Sequence, residues 1–200
     1  MRRKTSKPQE QSVRIIAGEW RGRRVAFPSV EGLRPSTDRV RETLFNWLMF
    51  HTTGARCLDL FCGSGVLGLE ALSRGASSLV AVDTSGEVVK QLKENLRILK
   101  SDQAQVWHMD ALACLDQLSP ELPFDLVFID PPFRKGLLGA VLERLIQRNL
   151  LADRARVYVE CEKELSNLAL PCGLVKIKEQ VAGQVAYRLF VFDPSSRSLP

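Results

Sequence analysis

Asp59-Leu60-Phe61-Cys62-Gly63-Ser64-Gly65-Val66-Leu67-Gly68 decides the fold of this 200-residue chain. It opens in a short apolar run, Cys57–Phe61, with the length and composition of a buried strand. It closes in a helix expected from Val66 to about Arg74. Glycine at three of its positions lets the backbone turn tightly and pass close beneath a ligand. The Gly63-x-Gly65-x-x-Gly68 spacing matches dinucleotide-binding loops, and Asp83 follows Gly63 by 20 residues, where an acidic side chain accepts hydrogen bonds from ribose hydroxyls. A tight turn without a ligand is the competing reading.

Working outward, short apolar runs alternate with helical stretches. Strands are expected at Leu79–Val82, Gln105–His108, Asp125–Ile129 and Arg156–Glu160. Helices are expected at Gly86–Leu99, Ala111–Leu118 and from about Lys135 to Arg148. Such alternation implies a parallel sheet with helices on both faces. The end of the chain departs from it: Leu174–Val181 and Val185–Phe192 flank Ala182-Gly183-Gln184 and read as an antiparallel hairpin. The fold class is therefore α/β: a mostly parallel, seven-stranded, Rossmann-like sheet ending in a β-hairpin. That ending separates the class I S-adenosylmethionine (AdoMet) methyltransferase fold from an ordinary dinucleotide-binding domain.

Ahead of the sheet, residues 1–12 are polar and aperiodic and read as a disordered basic tail. Residues 13–52 read as an N-terminal extension: a small β element from Val13–Ala17 and Arg24–Phe27, then a helix capped by Ser36 or Thr37 and running to about Phe50. Val40, Leu44, Phe45 and Leu48 would form its apolar face. The methyltransferase domain is expected over residues 53–194, with a short tail at 195–200. The first residues are charged and lack an apolar core, so no signal peptide is expected. No stretch approaches the roughly 18 apolar residues of a membrane span. A cytoplasmic protein is the expectation.

Five cysteines (Cys57, Cys62, Cys114, Cys161, Cys172) are scattered, without the paired spacing of a zinc site, and only His51 and His108 could assist them. They read as reduced thiols, and no metal is expected. Pro171-Cys172 resembles the nucleophile dipeptide of cytosine-C5 methyltransferases but lies far from the glycine loop. Net charge is +5, and its distribution matters more. Residues 1–41 carry 11 Lys and Arg against four acids, a net +7, which leaves the rest at −2. A basic end on a slightly acidic body suits a polyanion. Arg21, Arg23 and Arg24 lie between apolar segments, so they are the candidate RNA contacts. A solvated face is the alternative.

Three features favour AdoMet over a nicotinamide dinucleotide. Asp59 opens the loop, where a carboxylate suits an ammonium group and would repel a pyrophosphate. The chain has no room for a dehydrogenase's second domain. The third is Asp130-Pro131-Pro132-Phe133, 71 residues after Asp59 and directly after an expected strand beside the first. Two prolines stiffen this loop and remove two N–H donors. An amino group conjugated to a ring has a delocalised lone pair. Accepting its hydrogens, through the Asp130 carboxylate and the Pro131 carbonyl, would aim that lone pair at a sulfonium methyl. Phe133 offers a face for an extruded base. The cofactor set is then Asp59, Phe61, Gly63, Gly65 and Asp83, with Asp110 placed to accept from the adenine amino group. A helix N-cap is the plainer role for Asp110.

These motifs carry a resemblance over nearly the whole chain. Arg14-Ile15-Ile16-Ala17-Gly18, Arg21-Gly22-Arg23, the block from Arg34-Pro35-Ser36-Thr37-Asp38 to Leu48, Asp59–Gly68 and Asp130–Phe133 are similar to the bacterial 16S ribosomal RNA guanine-N2 methyltransferases of the D type, which belong to the small-subunit series. The resemblance implies AdoMet as methyl donor and 16S rRNA, within a partly assembled small ribosomal subunit, as partner. It further implies one acceptor guanine (guanine 966 in that family) and a monomer. The rival readings are an adenine-N6 DNA methyltransferase, a glutamine-N5 methyltransferase acting on a protein, and a catalytically silent RNA-binding module. The first generally needs a target-recognition domain, for which about 55 residues ahead of the sheet leave little room. The second usually carries Asn first and Tyr last in the loop. The third would not need Asp59, Asp83 and Asp130 intact.

Overall fold

A computed structural model describes residues 11–30, 36–167 and 170–198. Residues 1–10 of the expected tail, and Arg34 and Pro35 of the resemblance block, lie outside them. Gln11 and Ser12, read from sequence as tail, instead open a strand, β1 (Gln11–Arg14), which pairs antiparallel with β2 (Arg24–Phe27). Helix α1 (Asp38–Trp47) follows, and of the two candidate caps Thr37 serves: its hydroxyl accepts from the Val40 amide at 3.4 Å. The alternation then runs β3 (Arg56–Asp59), α2 (Val66–Ser73), β4 (Ser78–Asp83), α3 (Gly86–Leu99), β5 (Ala104–His108), α4 (Ala111–Gln117), β6 (Phe124–Ile129), α5 (Leu137–Gln147), β7 (Leu151–Glu162), β8 (Leu174–Ala182) and β9 (Val185–Phe192). A 3-10 turn, Pro194–Ser198, runs from the last residue of the expected domain into the expected C-terminal tail.

The seven-stranded sheet has the order β5-β4-β3-β6-β7-β9-β8. Pairing is parallel from β5 to β7 and antiparallel through β9 and β8. Strand order reverses between β3 and β6, and the crevice beyond their carboxyl ends is where such sheets bind ligands. Strand β7 starts five residues before the expected Arg156 and runs for 12 residues. Leu151 pairs with Phe124 and Arg156 with Leu126, so the pairing shifts register across a bulge where Arg154 takes φ +60°. The polar run Ala152-Asp153-Arg154 inside that bulge is why the sequence reads there as a loop.

Each sheet face has its own core. Leu58, Val80, Val127, Ile129, Val157 and Val159 face α4 and α5, whereas Cys57, Ala81, Leu126, Phe128 and Tyr158 face α2, α3 and the N-terminal extension. On this second side α2 is buried at every residue from Val66 to Ser73. A surface helix would show a polar stripe; α2 shows none because the extension covers its outer side. The seam is polar. Glu70 on α2 is fully buried, and its carboxylate accepts from the amides of Ile16 (2.9 Å) and Ala17 (3.0 Å). It also pairs with Arg74 at 2.9 Å and Arg41 at 3.4 Å.

Arg41 contradicts the charge count. Taken from sequence as part of a basic footprint, it is completely buried. Its guanidinium donates to the Arg14 carbonyl (2.8 Å), the Ser36 carbonyl (3.2 Å), Asp38 (2.7 Å) and Glu70. Val40, expected on the apolar face, is only half-buried. Below this knot the chain turns at Gly18, where φ is +80° and a Cβ would fall 1.8 Å from the Ser73 carbonyl oxygen, so only glycine fits. An aromatic series then links α1 to the sheet: Phe45 and Phe128 ring centres are 6.2 Å apart, and Phe128 and Tyr158 6.4 Å.

Replacing Glu70 by Ala leaves the Arg41 charge buried with only Asp38 to oppose it. Breaking a buried pair in this way costs about 3–5 kcal/mol. Urea denaturation should read that loss, and limited proteolysis should cut the extension earlier. Arg41→Met should cost less, because Glu70 keeps Arg74 and two amides. A loss under about 1 kcal/mol for Glu70→Ala would show that the seam does not hold the extension.

Candidate active site

The glycine loop leaves β3 and enters α2 through Gly65, which sits at φ +72° as the helix N-cap; a Cβ there would meet Leu92 at 2.5 Å. Cross-strand bonds pin the loop, the Cys62 amide to the Val82 carbonyl at 2.9 Å and the Leu60 amide to the Phe128 carbonyl at 3.2 Å. Asp83, at the end of β4, grips it as well: one carboxylate oxygen accepts from the Gly63 amide at 2.9 Å and the other from the Ser85 amide at 2.8 Å. Each oxygen has a second lone pair to offer, so Asp83 can shape the loop and still accept from ribose hydroxyls. Asp110 caps α4, its Oδ1 accepting from Leu112 (2.8 Å) and Ala113 (3.2 Å). The plainer reading of Asp110 is thus observed, and Oδ2 stays open to a ligand donor. Phe61 is half-buried beside the loop.

Across the crevice, the end of β6 delivers Asp130. Pro131 is buried, Pro132 is exposed and Phe133 presents its ring with 43% exposure. The Arg134 amide donates to Glu162 while Arg134 takes φ +60°, anchoring the far side of the loop. Register explains what stands beside Asp130. Asp59 pairs with Phe128, Ile129 with Val159, and Glu160 with Tyr187. Side chains two apart on a strand share a face. Asp59, Asp130 and Glu160 therefore form a row at the carboxyl ends of β3, β6 and β7, on the face that the N-terminal extension covers.

The row is costly. Burial pushes Asp59 up to about 7, opposed by amide bonds from Gly68 and Phe61 and reinforced by Asp83 and Glu160. Burial also raises Asp130 well above the carboxylate range, and Glu160 and Asp59 add to it. Among the described residues no donor reaches the Asp130 carboxyl. Glu160 is raised by burial too, but the Ser36 hydroxyl at 2.8 Å and the Tyr158 hydroxyl at 2.9 Å donate to its Oε1 and pull it back. Glu160 thus has donors that favour its charged form, whereas Asp130 has none among the described residues.

Sequence reasoning missed Glu160. The signal was an acid between Val159 and Cys161 in the apolar stretch that starts at Val157, in alternation with Tyr158. It also treated Ser36 only as a helix cap, whereas its hydroxyl binds Glu160. The three candidate RNA contacts are not brought to the crevice. Arg23 donates to the Ile98 carbonyl at 3.3 Å and Arg24 to Ser12 at 3.0 Å, with Arg21 exposed on the turn between. Ile98 is one residue from the C-terminal end of α3, so Arg23 meets this helix about 18 Å along its axis from its start at Gly86, the end nearer Asp83. Other exposed cations do lie at the acceptor side, namely Arg134 and Lys135, with Arg39 in electrostatic range of Tyr187. Among the described residues no group of three or more His, Cys, Asp or Glu could hold a metal ion, and no helix is long and apolar enough to cross a membrane.

A crevice walled by Asp59, Asp83 and Asp130 repels a pyrophosphate and attracts a sulfonium and an ammonium group. Together with the sheet order and terminal hairpin, it defines a class I AdoMet-dependent methyltransferase. A sequence model described as "Conserved hypothetical protein 95" matches residues 13–191, and the chain belongs to that family. It is 48% identical over 178 residues, 89% of each chain, to "Ribosomal RNA small subunit methyltransferase D" of Escherichia coli strain K12. It is 46% identical over 180 residues to the protein of the same name from Haemophilus influenzae, covering 89% of this chain and 93% of that one. Among solved structures, a putative methyltransferase from Escherichia coli superposes with a TM-score of 0.84 at 47% identity, covering 92% of this chain and 99% of that chain.

The raised Asp59 carboxyl has a consequence for stability. A folded-state value above the unfolded one stabilises the protein below the unfolded value, and that contribution is lost as pH rises through about 7. Asn at 59 carries no such charge. The melting temperature of Asp59→Asn relative to the parent should therefore increase between pH 5 and pH 8, while AdoMet affinity falls at least about tenfold for loss of a charge-assisted bond. A melting difference that does not vary with pH would show that Asp59 ionises normally.

Proposed function

We propose that the protein transfers a methyl group to the exocyclic N2 amino group of one guanine in 16S ribosomal RNA. Two relatives named for small-subunit ribosomal RNA support the substrate class. The guanine itself, guanine 966 by the resemblance, and a partly assembled small subunit as the form recognised are part of the proposal. So are a monomeric enzyme and a cytoplasmic setting. The observation that carries the chemistry is the Asp130 carboxyl, which no described donor satisfies, in a proline-stiffened loop facing the cofactor loop.

AdoMet, when bound, supplies a methyl group activated by its sulfonium charge. Asp59 would hold the ammonium end, Asp83 the ribose hydroxyls, and the open oxygen of Asp110 the adenine amino group. The rest is done at the acceptor. Phe133 stacks on the extruded base. The Pro131 carbonyl and the Asp130 carboxyl accept the two N2 hydrogens, which localises the nitrogen lone pair and fixes its direction. These N–H donors also draw Asp130 toward its charged form. Nitrogen becomes positive as the N–C bond forms, and a carboxylate whose proton affinity burial has raised is well placed to take the surplus proton. No covalent enzyme intermediate is required. The basic surface then acts on phosphates, Arg39, Arg134 and Lys135 near the crevice and Arg21, Arg23 and Arg24 at the far end.

Asp130→Ala should leave AdoMet binding within a few-fold while transfer falls by roughly 100-fold or more. Mass-spectrometric nucleoside analysis of rRNA from cells with and without the protein should show loss of one N2-methylguanosine, and its persistence would end the guanine reading. Replacing Arg21, Arg23 and Arg24 together should flatten the salt dependence of binding to small-subunit particles, by up to about one unit of log–log slope for each phosphate that is no longer neutralised. An unchanged slope, with folding intact by circular dichroism, would place the footprint at the crevice side alone.

A further inference from the structure

We infer that Glu160 is the residue that selects guanine, its Oε2 accepting the base's N1–H while Asp130 accepts from the adjacent N2 amino group. The inference rests on the guanine-N2 reading above and adds to it a determinant of base choice. Glu160 directly follows Val159, the partner of Ile129, so it stands beside Asp130 on the neighbouring strand. Adjacent strands lie about 4.8 Å apart, which suits two acceptors aimed at neighbouring ring positions.

The hydrogen bonding around Glu160 supports this role. Both of its donors, the Ser36 and Tyr158 hydroxyls, fall on Oε1, and among the described residues none reaches Oε2. Glu160 is 7% exposed, and with both described donors on Oε1 its other oxygen is left for an N–H donor of a ligand. The two donors also fix its orientation. Tyr158 is locked by Phe128, and Ser36 by the segment that leads into α1 and accepts from Arg41. Those hydroxyls oppose the upward push of burial on Glu160 and, by donating to Oε1, favour its charged, accepting form.

Guanine offers donors at both N1 and N2. A base whose N1 is an unprotonated acceptor, as in adenine or 2-aminopurine, would set a lone pair against the carboxylate. A site built to bond a substrate N–H rejects an analogue lacking it far more strongly than an apolar pocket can.

2-Aminopurine at the target position is the direct probe, because it keeps the 2-amino group and lacks N1–H. Small-subunit particles carrying guanine or 2-aminopurine there should be methylated by the parent protein with kcat/KM values differing by at least about tenfold in favour of guanine. Glu160→Gln presents an amide N–H that can donate to the 2-aminopurine N1. It should narrow the preference to about threefold or reverse it, with AdoMet affinity unchanged within a few-fold. A parent preference below about threefold overturns the inference without any variant. So does a Glu160→Gln protein that binds AdoMet normally yet keeps the full preference. If Glu160→Gln fails to bind AdoMet, Glu160→Asp, which shortens the reach of the same charge, should lower kcat/KM for guanine at least about tenfold, and normal turnover counts against the assignment. A parent protein that leaves guanine N2 unmethylated and modifies another position overturns the guanine reading, and this inference with it.

Discussion

Glu70 is an acidic side chain with no exposed surface, and the arrangement of the whole N-terminal extension follows from satisfying it. Its two oxygens accept from two backbone amides and two arginines. An uncompensated carboxylate at that depth would cost several kcal/mol, so the segment from Ile16 to Ala17 and the helix carrying Arg41 must both close over α2. A buried ion pair of this kind adds little net stability over an apolar replacement. What it fixes is register: Ile16, Ala17 and Arg41 have one way of reaching the same carboxylate. Arg74 completes the seam by stacking over Phe45 of α1 at 4.6 Å.

That closure reaches the site. With α1 anchored by Arg41, the residues just ahead of it are held at the carboxyl end of β7, where Ser36 binds Glu160. Phe45 packs toward Phe128, and Phe128 toward Tyr158, whose hydroxyl meets the same oxygen. The extension therefore shapes the acceptor side of the crevice from beneath, besides any contact it makes with nucleic acid. Three carboxyls in a row, all raised by burial, are a poor choice for stability. They suit a pocket whose ligands bring a sulfonium, an ammonium and several N–H donors.

Much of this was legible before any coordinates. The alternation of β and α, the closing hairpin, the glycine loop and the strand ahead of Asp130 follow local rules of period and turn chemistry, and α3 has the expected bounds, Gly86–Leu99. Errors fell where tertiary contacts override such rules. Strand β7 extends through polar residues because the Phe124–Leu151 pairing tolerates a bulge. Val40 turns partly outward because Arg41 turns in. Charge counting placed Arg41 with the surface arginines, since no local signal distinguishes a solvated guanidinium from one sealed against Glu70, 29 residues further along the chain.

By itself the sequence determined the fold class and the places of the glycine loop, Asp59, Asp83 and Asp130 at the ends of their strands. Spacing carries that information, because a strand, a glycine turn and a helix place their first residues without help from distant parts of the chain. Only the tertiary structure decided what surrounds them. It brought Glu160 beside Asp130, assigned Ser36 to Glu160, and set Arg21, Arg23 and Arg24 at the opposite end of α3 from the crevice. Such neighbours are chosen by strand order and by the burial of single charges, and both are settled only when segments far apart in the chain pack together.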